Sequence, residues 1–249
     1  MSQNAIDINC DLGEGTGNET GIMPFISSVN IACGFHAGNA LTMQETVRLA
    51  KKHAVCIGAH PSFNDPEHFG RRTMHLPATE IYAIILYQVG ALSAICQAEK
   101  TRIHHIKLHG ALYNQASTDK LVAEAAVAAI KDLDASLVIY GLSGSVLISL
   151  AKAAGLKTAA EVFADRTYTP EGLLTSRSMP HALITDVAEV TQQVLGFVFN
   201  QSVIATDQSL VKITAETICI HGDGLHAPVF AKAVNHALAE KNIKIQSPA

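Results

Sequence analysis

Short apolar runs alternate with longer segments of helical periodicity along the whole chain. Nearly continuous apolar runs of this length predict buried parallel strands, and the segments between them predict covering helices. The predicted strands are residues 6–12, 29–34, 54–60, 104–109, 137–142, 157–164 and 216–222. Helices are predicted from Thr42 onward and at residues 77–99, 120–133, 145–155, 186–199 and 228–241. The pattern therefore indicates an α/β protein with a parallel sheet covered on both faces.

Several helix boundaries carry their own signals. Thr42 followed by Glu45 fits a capping box at a helix start. Pro77 and Pro228 are tolerated in first turns, and Gly155 fits the position just after a helix end. About seven strand–helix units in 249 residues without a linker predict a single domain, 1–249. A closed or distorted β/α barrel is favoured over an open doubly wound sheet, because such barrels use about 250 residues.

Polar residues beside glycine follow the predicted strands. In IKLHGALYN at 106–114, Lys107 and His109 share one strand face, opposite the apolar residues. The same pattern occurs in DINCDLGEG, NIACGFHAGN, CIGAHPSF and ICIHGDG. In a parallel barrel the carboxyl ends of strands meet at one mouth, where active sites lie. We therefore expect these side chains to gather there, although one such histidine alone is more often structural.

Composition excludes several classes of function. The net charge is −4 without a basic patch, which argues against a nucleic-acid-binding protein. The apolar stretch 81–96 is shorter than a membrane span of about 20 residues and suits a buried helix. Acidic residues near the N-terminus do not fit a signal peptide. Five cysteines without a CxxC motif fit a reducing compartment, so a cytoplasmic protein without a membrane partner is expected.

Asp11, with Asn9 and Glu14 nearby, is a candidate general base or metal carboxylate, and the alternative is a turn rich in Asp and Gly. Imidazoles and a carboxylate could bind zinc or iron, but no HExxH motif is present, so acid, base or hydrogen-bond roles are favoured and a metal stays open. The histidines concerned are His36, His60, His109 and His221. Cys33 is either a thiolate nucleophile beside His36 or, as favoured, a small buried thiol.

Loop arginines are candidates for holding a small acid, since guanidinium pairs with carboxylate or phosphate through two hydrogen bonds. They are Arg71, Arg72, Arg166 and Arg177. The alternative is an ordinary surface ion pair with a carboxylate such as Asp65 or Glu171. No GxxxxGK[ST] motif occurs, so the chain lacks the signature of a phosphate-binding P-loop.

Six ordered blocks together resemble the LamB/YcsF family over about residues 5–245: DINCDLGEG, NIACGFHAGN, IGAHPSF…FGRR, KLHGALYN, ADRTYTPEGLLTSR and CIHGDG. The resemblance implies an irregular seven-stranded β/α (TIM-like) barrel of the glycoside hydrolase/deacetylase type. It also implies ATP-dependent opening of the 5-oxoproline (pyroglutamate) lactam to L-glutamate, together with 5-oxoprolinase subunits B and C. Two positions depart from the family pattern: Leu108 replaces a proline, and Glu171 replaces an aspartate.

A mechanism follows as a hypothesis. ATP would activate the lactam by phosphorylating its carbonyl oxygen, and nucleotide, with Mg possible, would be handled at least partly by the partner subunits. Asp11 would serve as base, Lys107 and His109 would stabilise the oxyanion, and His60 would protonate the ring nitrogen. The predicted substrate-binding residues are Asn9, Glu14, His36, Arg71, Arg72, Arg166, Arg177 and His221, with Arg71 or Arg177 holding the carboxylate.

Two other functions remain open at this point. One is a metal-dependent deacetylase or amidase of the same barrel group, which metal analysis and chelator sensitivity would reveal. The other is a non-catalytic subunit that binds a lactam or carbohydrate, for which mouth substitutions would change binding and leave turnover unchanged.

Overall fold

The computed structural model describes residues 4–248, so residues 1–3 and 249 of the predicted domain lie outside the described residues. The strands are β1 (Ala5–Leu12), β2 (Ser28–Ala32), β3 (Cys56–His60), β4 (His105–Lys107), β5 (Val138–Leu142), β6 (Lys157–Phe163), β7 (Ser202–Ile204), β8 (Leu210–Lys212), β9 (Thr217–His221) and β10 (Lys244–Ile245). The helices are α1 (Glu19–Ile22), α2 (Ala40–Lys52), α3 (Ala78–Ala98), α4 (Gly110–Thr118), α5 (Lys120–Asp134), α6 (Val146–Ala153), α7 (Val187–Leu195) and α8 (Ala227–Glu240).

Seven parallel strands close into a barrel in the order β1, β2, β3, β4, β5, β6, β9. Closure is made by β9, which pairs with β6 on one side and with β1 on the other. Cys10 of β1 is accordingly the register partner of both Val29 and Ile220. The predicted seven-stranded TIM-like barrel is confirmed, and the open doubly wound sheet is wrong. Strand β10 pairs in parallel with the first residues of β1, and β7 and β8 form a separate antiparallel hairpin.

Strand β1 shows how the sequence builds both faces of the barrel wall. Every second residue is a buried apolar side chain of the main core, namely Ile6, Ile8, Cys10 and Leu12. The residues between them, Asp7, Asn9 and Asp11, are also buried. Asn9 donates across the barrel to Glu161 of β6 at 2.9 Å, which places this second face in the interior. Because successive side chains alternate, the apolar residues pack under the helices and the polar ones line the barrel.

Helix α3 contains the apolar stretch 81–96 and is longer than that stretch, with 21 residues. By length and composition alone it is the one helix of residues 4–248 that could cross a membrane. Its buried face includes Ile85, Val89 and Leu92, and the helix packs against α2 and α5 in the outer layer of the barrel.

The start of helix α2 differs from the sequence prediction, and the end of helix α6 agrees with it. The N-cap of α2 is Asn39, not Thr42, because the helix begins three residues earlier than predicted. Asn39 accepts from the backbone of Thr42, whose hydroxyl accepts from the backbone of Asn39, so the capping box does not involve Glu45. The end of α6 is as predicted, since Gly155 has φ +79°, a conformation that glycine adopts without strain.

Two elements have weak sequence signals. Helix α4 starts at Gly110, directly after the predicted strand, and it was missed because it has no side-chain cap and is only 9 residues long. The predicted strand 104–109 is therefore shorter, and His109 is the N-cap residue of α4. The hairpin of β7 and β8 has three-residue strands outside the barrel, too short to show alternation.

Candidate active site at the barrel mouth

A cavity of about 620 Å³ opens where the barrel strands end. The predicted residues on its wall are Asp11, His60, Arg71, Lys107, His109, Arg166, Arg177 and His221. They come from six separate segments of the chain, from the end of β1 to the end of β9. The structure therefore brings the four predicted catalytic residues together in one space.

Lys107 lies at the inner end of the cavity and is 2% exposed. Its Nζ lies 2.8 Å from Asp11 Oδ1 and 2.9 Å from Glu161 Oε1. Burial alone would lower the pKa of Lys107, but the charges of Asp11, Cys219 and Glu161 raise that pKa well above its ordinary value. The side chain is therefore a fixed ammonium group. Glu161 was missed by the sequence analysis, although it is the one carboxylate within the predicted strand 157–164.

Asp11 has close contacts on both carboxylate oxygens. Besides Lys107, the amide of Asn30 donates to Oδ1 at 2.8 Å, and Oδ2 lies 3.4 Å from His60 Nε2. Burial alone would raise the pKa of Asp11, but His60 and Lys107 hold it well below its ordinary value. A carboxylate with so low a pKa is a weak proton acceptor in the resting protein. Its contacts fit the positioning of Lys107 at least as well as the predicted role of base.

The orientation of His60 and His109 is set by backbone carbonyl groups. His60 Nδ1 lies 2.8 Å from the carbonyl oxygen of Lys107, and His109 Nε2 lies 2.8 Å from that of Phe69. A carbonyl oxygen only accepts, so both of these nitrogens carry hydrogen. The remaining nitrogens, His60 Nε2 and His109 Nδ1, face each other at 2.9 Å. If both rings are neutral, two lone pairs point at each other, an arrangement that a shared proton or a cation beside the two nitrogens would stabilise.

His36 presents a lone pair in the same way. Its Nδ1 lies 3.0 Å from the hydroxyl of Ser62, whose own hydrogen is donated to the Phe63 carbonyl oxygen at 2.9 Å. His36 Nδ1 therefore donates, and its Nε2 faces Glu14 Oε1 at 3.2 Å without hydrogen in the neutral ring. Burial and the neighbouring His60 lower the pKa of His36 well below its ordinary value.

Glu14, His36, His60 and His109 form a compact buried group, which we name the imidazole cluster. One ligand atom from each of the four lies within 4.8 Å of the others, and the rings of His36 and His109 stack with centroids 3.7 Å apart. Burial raises the pKa of Glu14 well above its ordinary value, and Asp11 adds to the rise. This cluster is the set of described residues that could hold a metal ion. It does not include His221 or Asp11, which the sequence analysis had grouped with these histidines.

Three arginines lie on the cavity wall. Arg71 pairs with Asp223 at 2.5 Å and lies over the ring of Phe69 at 4.7 Å. Burial and the charge of Arg177 lower the pKa of Arg166 to about 10. Burial and the charge of Arg71 lower the pKa of Arg177 as well. Because these guanidinium groups repel one another, an anion bound among them would be stabilised.

Four predicted substrate-binding residues lie away from the cavity wall. Asn9 is buried below it, and Glu14 and His36 lie behind it in the imidazole cluster. Arg72 is more than half exposed and pairs with Asp65 at 3.3 Å, which is the alternative given for the loop arginines. This placement favours supporting roles for the first three and a surface role for Arg72, because none contacts the open space.

His221 also lies on the cavity wall and pairs with Asp165. Its Nδ1 lies 2.9 Å from Asp165 Oδ1, and its ring stacks on Phe163 with centroids 5.4 Å apart. Burial alone would raise the pKa of Asp165, but His221 holds it below the ordinary value. Asp165 was not predicted, although it follows the end of β6 just as the predicted residues follow other strands.

The cysteines are free thiols. Cys33 is buried and donates to the carbonyl of Ile31, and burial raises the pKa of its thiol to about 12. A thiol with this pKa stays protonated, which agrees with the favoured interpretation of a buried structural residue.

The chain is similar in sequence to a known family and to named bacterial proteins. The model of the LamB/YcsF family matches residues 6–249. A protein of Shouchella clausii (strain KSM-K16), named as the A subunit of 5-oxoprolinase, is 51% identical over 249 residues, with 98% of each chain covered. A protein of the same name from Bordetella parapertussis (strain 12822 / ATCC BAA-587 / NCTC 13253) is 48% identical over 248 residues, also with 98% of each chain covered.

Solved structures show the same fold. The crystal structure of the lactam utilization protein from Thermus thermophilus superimposes with a TM-score of 0.91 at 42% identity, covering 98% of this chain and 100% of that one. The catalytic domain of the peptidoglycan N-acetylglucosamine deacetylase from Eubacterium rectale ATCC 33656 gives a TM-score of 0.54 at 9% identity, covering 99% and 89%. The second likeness is of fold alone, and it agrees with the predicted deacetylase-type barrel.

Proposed function

This chain belongs to the LamB/YcsF family, and from that premise we propose that it is the lactam-binding and lactam-opening subunit of an ATP-dependent 5-oxoprolinase. The reaction is the hydrolysis of 5-oxoproline to L-glutamate. Two relatives that are 51% and 48% identical in sequence are named as the A subunit of 5-oxoprolinase, and that name implies further subunits in a complex. We assign the partners as subunits B and C, and the compartment as the cytoplasm.

One observation carries the proposal: a single cavity combines a lysine–carboxylate pair, an imidazole pair with two ring nitrogens 2.9 Å apart, and three arginines. 5-Oxoproline is a small ring that carries a carboxylate and an amide. A guanidinium group can hold the carboxylate through two hydrogen bonds, and Arg177 or Arg71 is in position to do so. The amide would then lie toward Lys107.

Opening an amide builds negative charge on the carbonyl oxygen. Lys107 supplies a fixed positive charge beside Asp11, and His60 with His109 supplies a second positive site next to it. Preorganised charge of this kind in a buried site lowers the barrier, because no solvent has to reorganise around it. Although its low pKa makes Asp11 a weak proton acceptor in the resting protein, the attacking water becomes strongly acidic as its oxygen bonds to carbon, and Asp11 would then accept its proton. The proton donor to the ring nitrogen stays a prediction, since His60 Nε2 faces Asp11 and His109.

Nucleotide binding is assigned mainly to the partner subunits, because the chain has no P-loop signature. The arginines on the cavity wall can also bind a phosphoryl group on an activated lactam, since phosphate and carboxylate are both held by guanidinium. Mg²⁺ would accompany ATP in this scheme.

The test is glutamate release from 5-oxoproline and ATP by the complex reconstituted with and without the two partner chains. Asp11→Asn should lower turnover by roughly 10²–10⁴-fold while the chain stays folded. Asp132→Asn, on the exposed face of α5, is the matched control and should leave turnover unchanged. Wild-type turnover in a folded Asp11→Asn complex would refute the assigned role of Asp11, and no glutamate from the wild-type complex would refute the function.

The alternatives give different results in the same experiment. A non-catalytic lactam-binding subunit predicts that mouth substitutions change the KM for 5-oxoproline and leave kcat intact. A deacetylase predicts acetate release from an N-acetylated sugar by the chain alone. The likeness to the deacetylase is one of fold, so we place the lactam reaction first.

A further inference from the structure

We propose that the imidazole cluster binds one divalent cation of the zinc class, held by Glu14, His36, His60 and His109. The separations between the four donor atoms support this. His60 Nε2 lies 2.9 Å from His109 Nδ1, His36 Nε2 lies 3.2 Å from Glu14 Oε1, and His109 Nδ1 lies 3.8 Å from Glu14 Oε1. Ligands at the usual bond lengths around a tetrahedral zinc ion are separated by roughly 3.4 Å, so these three separations are within about 0.5 Å of that value, and all the donor atoms lie within 4.8 Å of one another.

The orientation of the rings is a second and independent observation. Each imidazole uses one N–H to donate outward to a protein oxygen: the carbonyls of Lys107 and Phe69, and the hydroxyl of Ser62. The other three nitrogens lie close together, and because the rings of His36 and His109 are stacked with an angle of 6° between their planes, one of these two rings has to tilt for both lone pairs to reach one ion. Metal-binding histidines almost always donate outward in this way, because the outer hydrogen bond fixes the tautomer and the ring. A histidine that only stabilises the fold has no need to aim a lone pair at another lone pair.

The charges of the buried groups also favour a bound cation. The buried carboxylates of Asp11 and Glu161 share one ammonium group, that of Lys107, and Glu14 pairs with His36 and His109, so an ionised Glu14 would leave an excess of two negative charges over the Lys107 ammonium. A buried charge without a partner is costly. One divalent cation in the cluster balances the set. The competing arrangement needs two protons, one on Glu14 and one shared by His60 and His109.

The donor set selects the class of cation. Three imidazole nitrogens and one carboxylate oxygen suit zinc and its first-row neighbours, such as iron and nickel. Magnesium and calcium prefer a shell of oxygen ligands, so this site is distinct from the magnesium that accompanies ATP. Cobalt(II) is a spectroscopic probe for a site of this kind.

This inference adds to the proposed function, because the cation would be the positive group beside His60 and His109 at the barrel mouth. The cation site can exist whether or not the protein opens a lactam. With His60 Nε2 bound, His60 cannot protonate the ring nitrogen. Asp11, once it has taken a proton from the attacking water, becomes the donor to that nitrogen. The proton taken from the water oxygen thus arrives on the ring nitrogen as the carbon–nitrogen bond breaks, and the phosphoryl group of the activated lactam leaves as inorganic phosphate when a second water hydrolyses the resulting acyl phosphate.

The experiment uses the purified full-length chain alone, stripped with a chelator and dialysed. Titration calorimetry with Zn²⁺ should show one cation per chain, and Co²⁺ should give visible absorption bands that Zn²⁺ displaces. Glu14→Gln and His36→Ala should weaken Zn²⁺ binding at least tenfold. Ser62→Ala, which removes the hydroxyl behind His36, should weaken it by about 10–100-fold. The exposed His75→Ala is the control and should bind as the wild type does.

Failure to bind Zn²⁺ and Co²⁺ at one site per chain would overturn the inference in favour of the two-proton arrangement. Equal affinity in folded Glu14→Gln and wild type would also overturn it, by placing the cation elsewhere. If His36→Ala does not fold, Glu14→Gln and Ser62→Ala decide, because both keep the packing nearly intact. The assay contains no 5-oxoproline, ATP or partner chain, so its failure is distinguishable from a failure of the proposed function, which glutamate release measures separately.

Discussion

Replacing Lys107 by methionine tests the charge arrangement on which the site depends. The substitution keeps the length and apolar stem of the side chain and removes the ammonium group. Nζ contacts Asp11 Oδ1 at 2.8 Å and Glu161 Oε1 at 2.9 Å, with a further contact to Asn9 Oδ1 at 3.3 Å. Lys107→Met therefore leaves two buried carboxylates without their common counter-charge.

The size of the effect follows from burial and distance. At an effective dielectric constant of about 20, each contact is worth several kcal/mol of attraction, and part of that offsets the lost hydration of the ammonium group. Removing one partner of a buried ion pair costs about 3–5 kcal/mol, because the remaining charge is left unpaired. For a chain of this size, a loss of that order lowers Tm by about 6–20 °C.

Urea unfolding followed by circular dichroism measures the free energy of unfolding directly. Lys120→Met is the matched control, because that lysine is 71% exposed and its pair with Glu124 is worth under about 1 kcal/mol. The double variant Lys107→Met/Glu161→Gln should recover part of the loss, since it removes one of the two stranded charges. A folded Lys107→Met that loses less than about 1 kcal/mol would refute the reasoning.

Two further predictions concern the cavity wall. Arg177→Met should raise the KM for 5-oxoproline in the reconstituted complex by at least tenfold, while Arg72→Met, in a surface ion pair, should leave KM unchanged; equal effects of the two would contradict the carboxylate assignment. His221→Asn should lower the free energy of unfolding at pH 6, because Asp165 loses the partner that holds its pKa below the ordinary value. The folded-state pKa of Asp165 is depressed, so its stabilising contribution is present above the ordinary value of about 3.9 and disappears at lower pH. The difference between variant and wild type should therefore persist from pH 6 to about pH 4 and shrink below about pH 4, and a difference that grows on acidification below that pH would contradict the pairing.

Much of the fold could be predicted because its strands are short, apolar and separated by helices. All seven predicted strands are barrel strands, within a few residues at their ends. Helix α4 and the β7–β8 hairpin were missed, since neither carries a clear period or cap. The N-cap of α2 was misplaced because Asn39 and Thr42 are both good capping residues, and only the path of the chain into the helix decides between them.

The sequence predicted which residues gather at the barrel mouth better than it predicted which of them contact each other. Residues at strand ends converge in any parallel barrel, so Asp11, His60, Lys107 and His109 could be grouped before their distances were known. Their chemical roles stay predictions. Glu161 was missed because a single carboxylate in an apolar strand says nothing about which ammonium group it will meet across the barrel.

The sequence by itself determined the class of fold, the family and the kinds of side chain at the mouth, because alternation and strand-end chemistry are local properties. Only the tertiary structure decided which nitrogen of each imidazole faces inward and which charges remain unbalanced. Those properties depend on where the carbonyl groups of Lys107 and Phe69 lie once the barrel has closed. Ring closure brings residues about a hundred positions apart into contact, and hydrogen bonding and charge act only over such short distances.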